Sequence, residues 1–217
     1  MIPLRALLYR RGTPVMTLLI ITVNVLCFLF EMAQPFYLRE SFIARYALIP
    51  DQPHALTFIS SMFLHGSLLH ILGNMWFLWV FGSHIEDAMG PAKFLLFYLI
   101  SGIASAFVQF IVYFGSPIPT IGASGAIAGV MGAFLVLYPR VRVVTLIFVV
   151  IFVTTVDIPA AFMLIYWFAI QLLSGLGSLA SISNAQGIAW FAHVGGFLAG
   201  ILLIRLFREK RARYQYR

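Results

Sequence analysis

The chain has 217 residues, of which 62% are hydrophobic and only 10% charged, whereas a soluble domain carries about 25% charged residues. That composition excludes an ordinary soluble enzyme and implies a helical protein solvated by a lipid bilayer. The net charge of +7 would suit nucleic acid, but the basic residues gather at the ends of apolar runs, which is the pattern of membrane orientation and argues against a nucleic-acid partner. A single cysteine, Cys27, lies inside an apolar run, so there is no disulfide framework and no cysteine-rich metal site.

The apolar runs cover 15–32, 67–83, 92–114, 124–137, 143–156, 160–180 and 187–207. The first lacks a small-residue cleavage site and reads as an anchor, not a signal peptide. The fifth is short, dense in Val, Ile, Phe and Thr, and ends at Asp157-Ile158-Pro159. Such residues favour extended or interfacial structure over helix. If 143–156 does not cross, twelve Lys and Arg fall on the inner side and only Arg39 and Arg45 on the outer side. The basic residues from Arg205 to Arg217 would move outside if it did cross. The expectation is therefore six spans with both termini cytoplasmic, and 143–156 tucked against protein as an interfacial or re-entrant segment. Residues 1–217 form one membrane domain with short tails at about 1–14 and 208–217.

This topology runs the second, fourth and sixth spans from outside to inside. His70 and Asn74 fall in the first two turns of the second, Ser124 opens the fourth, and His193 lies about two turns into the sixth. Four polar side chains thus converge on the outer third of the membrane. His70 and Asn74 are four residues apart and share a helix face. They serve either as interhelical hydrogen-bonding groups or as donors to a developing oxyanion. Ser124 follows a Pro-rich turn, Ser116-Pro117-Ile118-Pro119, and is flanked by Gly122 and Gly125. Its place at a helix start offers free N–H groups and the positive end of the helix dipole. Gly125 and Gly129 form a GxxxG face, which Gly196 and Gly200 of the last span can approach closely. That approach is what a hydrogen bond from Ser124 to His193 requires, and an ionisable side chain in a span is a functional candidate. His65 and His54 lie in or beside the outer loop and read as structural; His84, at the inner end of the second span, is expected to be solvated. No acidic residue lies at the depth of His193 in a span. The pair is thus a dyad, its histidine oriented by packing or by a polar group that is not an acid. There is no HExxH and no carboxylate to complete a histidine set, so neither metal nor cofactor is expected.

Three stretches carry a family resemblance. The run from Phe63 to Met75, FLHGSLLHILGNM, resembles the second-span signature of the rhomboid intramembrane serine proteases. Gly122-Ala123-Ser124-Gly125-Ala126 resembles their GxSG motif, and the run from Ala192 to Gly200, AHVGGFLAG, their last-span motif. The resemblance implies an all-α polytopic bundle of six spans with no appended soluble domain. It implies Ser124 as nucleophile, His193 as general base, and His70, Asn74 and the Ser124 N–H as oxyanion stabilisers. It also implies single-span membrane proteins as substrates, cleaved near the outer face, with lateral entry by the fifth span or the loop after it. The expected home is a prokaryotic inner membrane. Many relatives carry a Trp-Arg pair in the first outer loop, where this chain reads Ala55-Leu56-Thr57-Phe58. The alternatives are a non-catalytic protein of the same fold that binds or translocates spans, and a small transporter. An intact Ser124/His193 pair argues against the first, and the absence of an inverted repeat against the second.

Overall fold

A computed structural model describes residues 1–149, 152–180 and 188–207. The tail at 208–217 and the loop at 181–187 lie outside the described residues. Proline and glycine punctuate the chain. Helix α1 (Val15–Ala33) lies between Pro14 and Pro35, and α2 (Phe36–Tyr46) follows with no buried residue. The short α3 (Thr57–Ser60) runs into a 3₁₀ turn at Ser61–Phe63. Next comes one long rod: α4 (Leu68–Phe77), a π-helical stretch at Leu78–Gly82, and α5 (Ser83–Met89). Gly90, at φ +81°, turns the chain into α6 (Pro91–Val112), whose proline sits at the first helical position. Then come α7 (Ser124–Leu137), α8 (Ala160–Ala180) and α9 (Trp190–Phe207).

Among the described residues, five helical stretches are long and apolar enough to cross a membrane: Val15–Ala33, Leu68–Met89, Pro91–Val112, Ala160–Leu179 and Trp190–Phe207. The expected fourth span, α7, has 14 residues, about 21 Å of helix. It is the centre of the bundle, with every residue from Gly125 to Phe134 buried. Its neighbours are chiefly α9 and α6.

The architecture is mostly helical, which corrects the all-α expectation. Strands β2 (Arg142–Val149) and β3 (Phe152–Pro159) pair antiparallel, and β1 (Ile2–Ala6) adds a third antiparallel strand beside β2. Of the extended and interfacial forms that this β-branched stretch favours, its described residues take the extended one. Residues 2–6, expected in a tail, are instead held by pairing such as Pro3↔Thr145 and Ala6↔Val143. Their complement lies some 140 positions away, so no local pattern announces the strand.

Buried polar groups tie the helices together. Glu86 of α5 accepts from the N–H groups of Met16 and Thr17 and from the Thr17 hydroxyl, at 2.9, 2.7 and 2.7 Å. It satisfies donors that the first turn of α1 would otherwise leave bare. His84 is buried, with its ring 6.0 Å from that of Phe134, which corrects the solvated placement expected for it.

Candidate active site

The site is assembled from helix beginnings. His70 is the third residue of α4, Ser124 the first of α7 and His193 the fourth of α9, so the amino ends of three helices meet. His193 therefore sits in the first turn of its helix, one turn nearer the end than the sequence suggested. Ser67 caps α4 by accepting from the His70 N–H at 3.2 Å. Gly122 sits at φ +119°, a conformation that disfavours any side chain, and its N–H donates to Ser61 O at 2.8 Å. A Cβ there would lie 2.7 Å from His70 Nε2 and 3.7 Å from Asn74 Nδ2, so both side chains crowd the approach to Ser124.

Ser124 Oγ is 2.8 Å from His193 Nε2. His193 Nδ1 is 2.7 Å from Gln171 Oε1. An amide oxygen can only accept, so Nδ1 carries the proton and Nε2 presents its lone pair to the Ser124 hydroxyl. Gln171 is buried in α8 and was not among the residues the sequence singled out. The available signal was a lone amide within an apolar run, which a span tolerates only when the amide is paired. The rings of Trp167 and Trp190 flank the imidazole, with centroids 5.8 and 6.4 Å away.

Two further polar residues of α6 fix the first turn of α9. Ser105 Oγ donates to Ala192 O at 2.7 Å, and Gln109 Oε1 accepts from Ala192 N–H at 3.1 Å. Glycine brings α9 onto α7. A Cβ at Gly196 would fall on Gly125 O, one at Gly200 on Gly129 O, and one at Gly132 on Phe197 O. Gly132 is a third step on this face that the sequence reading did not include.

A cavity of about 490 Å³ opens over this arrangement, lined by His70, Asn74, Phe77, Ser124, Trp167 and His193 among others. Asn74 is buried, and its Nδ2 finds no hydrogen-bond partner among the described residues. A paired nucleophile and base beside an unused amide donor can take a hydroxyl proton and stabilise a developing oxyanion. Among the described residues no group of three or more His, Cys, Asp or Glu could hold a metal ion. His65, just ahead of α4, is fully buried with its ring 5.1 Å from that of His70. Burial first, and then His70, push the His65 imidazole down to about 4, so it is neutral at pH 7.

These features define a bundle of membrane-type helices built around a serine–histidine pair. The chain belongs to the rhomboid family: a family model for the Rhomboid domain matches residues 52–210. Relatives include the bovine presenilin-associated rhomboid-like protein, mitochondrial, which is 33% identical over 69% of this chain and 37% of its own length. The rhomboid protease GluP of Bacillus subtilis is 33% identical over 60% of this chain and 26% of its own. Rhomboid protein 1, mitochondrial, of Saccharomyces cerevisiae is 28% identical over 74% and 45%. The chain spans less than half the length of each. Two of the three are mitochondrial by name, so the comparisons do not support the expected prokaryotic inner membrane.

Proposed function

We propose that the protein is an intramembrane serine endopeptidase that cleaves single-span membrane proteins near the outer face. The observation that carries this reading is the line Ser124 Oγ, His193 Nε2, His193 Nδ1, Gln171 Oε1, with steps of 2.8 and 2.7 Å at its two hydrogen bonds. Membership of a family that includes a named rhomboid protease supports it. His193 Nε2 takes the Ser124 proton as Oγ attacks the substrate carbonyl. The resulting oxyanion is held by the Ser124 N–H, Asn74 Nδ2 and His70. Protonated His193 then gives its Nε2 proton to the leaving amine as the C–N bond breaks. Water, activated by the same nitrogen, hydrolyses the acyl-enzyme and returns the proton to Ser124 Oγ. The 490 Å³ cavity admits that water. A helical substrate hides its carbonyls in i→i−4 bonds, so the scissile segment must unwind, and helix-weakening residues near the cut favour cleavage. Residues 1–217 act as one domain, with six crossings, both ends cytoplasmic and no cofactor.

The test is turnover of a single-span substrate by purified protein, together with labelling by a fluorophosphonate. Native protein should cleave and label, while Ser124→Ala and His193→Ala should do neither and remain folded. Normal turnover by either variant removes the dyad from the mechanism. A native protein that binds the substrate without cutting it would favour the non-catalytic reading.

A further inference from the structure

A buried acid outside the dyad reaches the oxyanion side of the site from behind. Glu31 stands in the last turn of α1 and His65 just ahead of α4, and both are fully buried. Glu31 Oε2 accepts from the His65 N–H at 3.4 Å. Glu31 Oε1 and both ring nitrogens of His65 find no hydrogen-bond partner among the described residues. A carboxyl group is a costly occupant of such a place, because it is desolvated and one of its oxygens goes unpaired. An apolar side chain of similar size would pack there at lower cost. The hydrogen bond it does make falls on the segment that delivers His70.

That segment has little of its own to hold it. Gly66, Ser67, Leu68 and Leu69, the residues between His65 and His70, are all exposed. Two neighbours set the His70 ring instead. A Cβ on Gly122 would lie 2.7 Å from His70 Nε2, so the ring lies close against the Gly122 backbone. The His65 ring meets it edge to face, with centroids 5.1 Å apart. Behind His65 stands α1, itself tied to the same rod at its other end, where Glu86 of α5 accepts from the Thr17 N–H at 2.7 Å. Two buried carboxyl groups thus pin α1 to the rod that α4 begins, one near each end of α1. A displaced His65 would move the surface against which His70 rests.

We propose that Glu31 is a positioning residue for the oxyanion side of the site: by holding the His65 backbone to α1, it fixes the ring against which His70 is set. The inference rests on the protease reading. Glu31 acts through His65 and His70 and takes no part in the bond-making steps. A donor stabilises an oxyanion only when it is held in place beforehand, and α1 supplies the fixed reference.

Three measurements on the full chain test this. Glu31→Leu should lower kcat for a single-span substrate by about tenfold or more, up to the roughly 10²–10³ that one oxyanion donor is worth, with KM unchanged. Glu31→Gln keeps an acceptor for the His65 N–H and should cleave at the native rate. Melting temperature checks folding, and should Glu31→Leu not fold, the unbranched Glu31→Met carries the same test. The second measurement is a double-mutant cycle. In a His70→Ala background Glu31→Leu should cost nothing further, whereas in Gln171→Met its loss should multiply in full. The third is nuclear magnetic resonance of isotope-labelled histidine. The His70 ring signal, identified by its absence from His70→Ala, should move in Glu31→Leu and stay in place in Glu31→Gln. An unchanged kcat in the folded apolar variant, equal losses in Glu31→Leu and Glu31→Gln, losses that multiply in His70→Ala, or an unmoved His70 signal would each overturn the proposal. A native protein that neither cleaves nor takes up a fluorophosphonate would instead refute the protease reading, and the His70 signal would still decide whether Glu31 sets that ring.

Discussion

Gln171→Met is the substitution that most directly tests how His193 is held. It keeps the side-chain length and an apolar fit but removes the acceptor 2.7 Å from His193 Nδ1. In the resting protein the lost bond frees the imidazole to place its proton on Nε2, where it can no longer take the proton of Ser124. In the transition state the imidazole is charged, and a hydrogen bond to a charged group is worth about 1.5–3 kcal/mol. At about 1.36 kcal/mol per factor of ten, kcat should fall about 10–150-fold. KM should change little, because the amide belongs to the base and stands behind it. The Trp167 and Trp190 rings still hold the imidazole plane, so activity should not vanish. The assay is steady-state cleavage of a single-span substrate in detergent, with fluorophosphonate labelling rate and melting temperature measured in parallel. An unchanged kcat in folded Gln171→Met would show that packing alone orients His193.

Asn74→Ala should lower kcat by about 10²–10³, the usual worth of one oxyanion donor, and leave fluorophosphonate-competent folding intact; an undiminished kcat would make Asn74 a helix-packing amide. In Gly196→Val the new side chain meets the backbone of Gly125, which cannot yield, so α7 and α9 must separate. Since about 1 Å of misplacement can cost on the order of 10² in rate, activity should fall much further than melting temperature, and native activity in the folded variant would refute the spacing argument. His65 is pushed down to about 4 in the folded protein, against about 6.5 in the unfolded chain. Its neutral burial therefore contributes stability in full above about pH 6.5 and loses it as pH falls toward 4. Melting temperature should drop across that window less steeply in His65→Gln than in native protein, and parallel curves would refute the assignment.

The parts of this molecule legible in its sequence are those set by short-range chemistry. The bounds of α7 and α8 coincide with their apolar runs, because Pro139 and Pro159 leave the chain no choice. Ser124 and His193 were visible because polar groups are rare enough in such runs to stand out. What stayed hidden depends on distant partners. Strand β1 is five residues whose complement is Val143–Leu146, and no periodicity within Ile2–Ala6 betrays that pairing. His84 looked like a polar group at a helix end until Phe134 and Tyr138 closed over it. Gln171 lacked a motif, and its meaning came only from the imidazole that α9 brings against it.

That glutamine also accounts for the absence of an acid beside His193. The site lies at the amino ends of α4, α7 and α9, each carrying partial positive charge where an oxyanion would form. A carboxylate in place of Gln171 would fix the same tautomer, but it would be a buried charge in an apolar bundle, and desolvation would outweigh much of its attraction to the imidazole. Its negative charge would also oppose the oxyanion nearby. A neutral acceptor sets the Nδ1–H tautomer without either cost. In the proposed mechanism the three helix ends are then left to stabilise the negative charge that develops on the substrate, and this division of labour would let a dyad suffice at this depth.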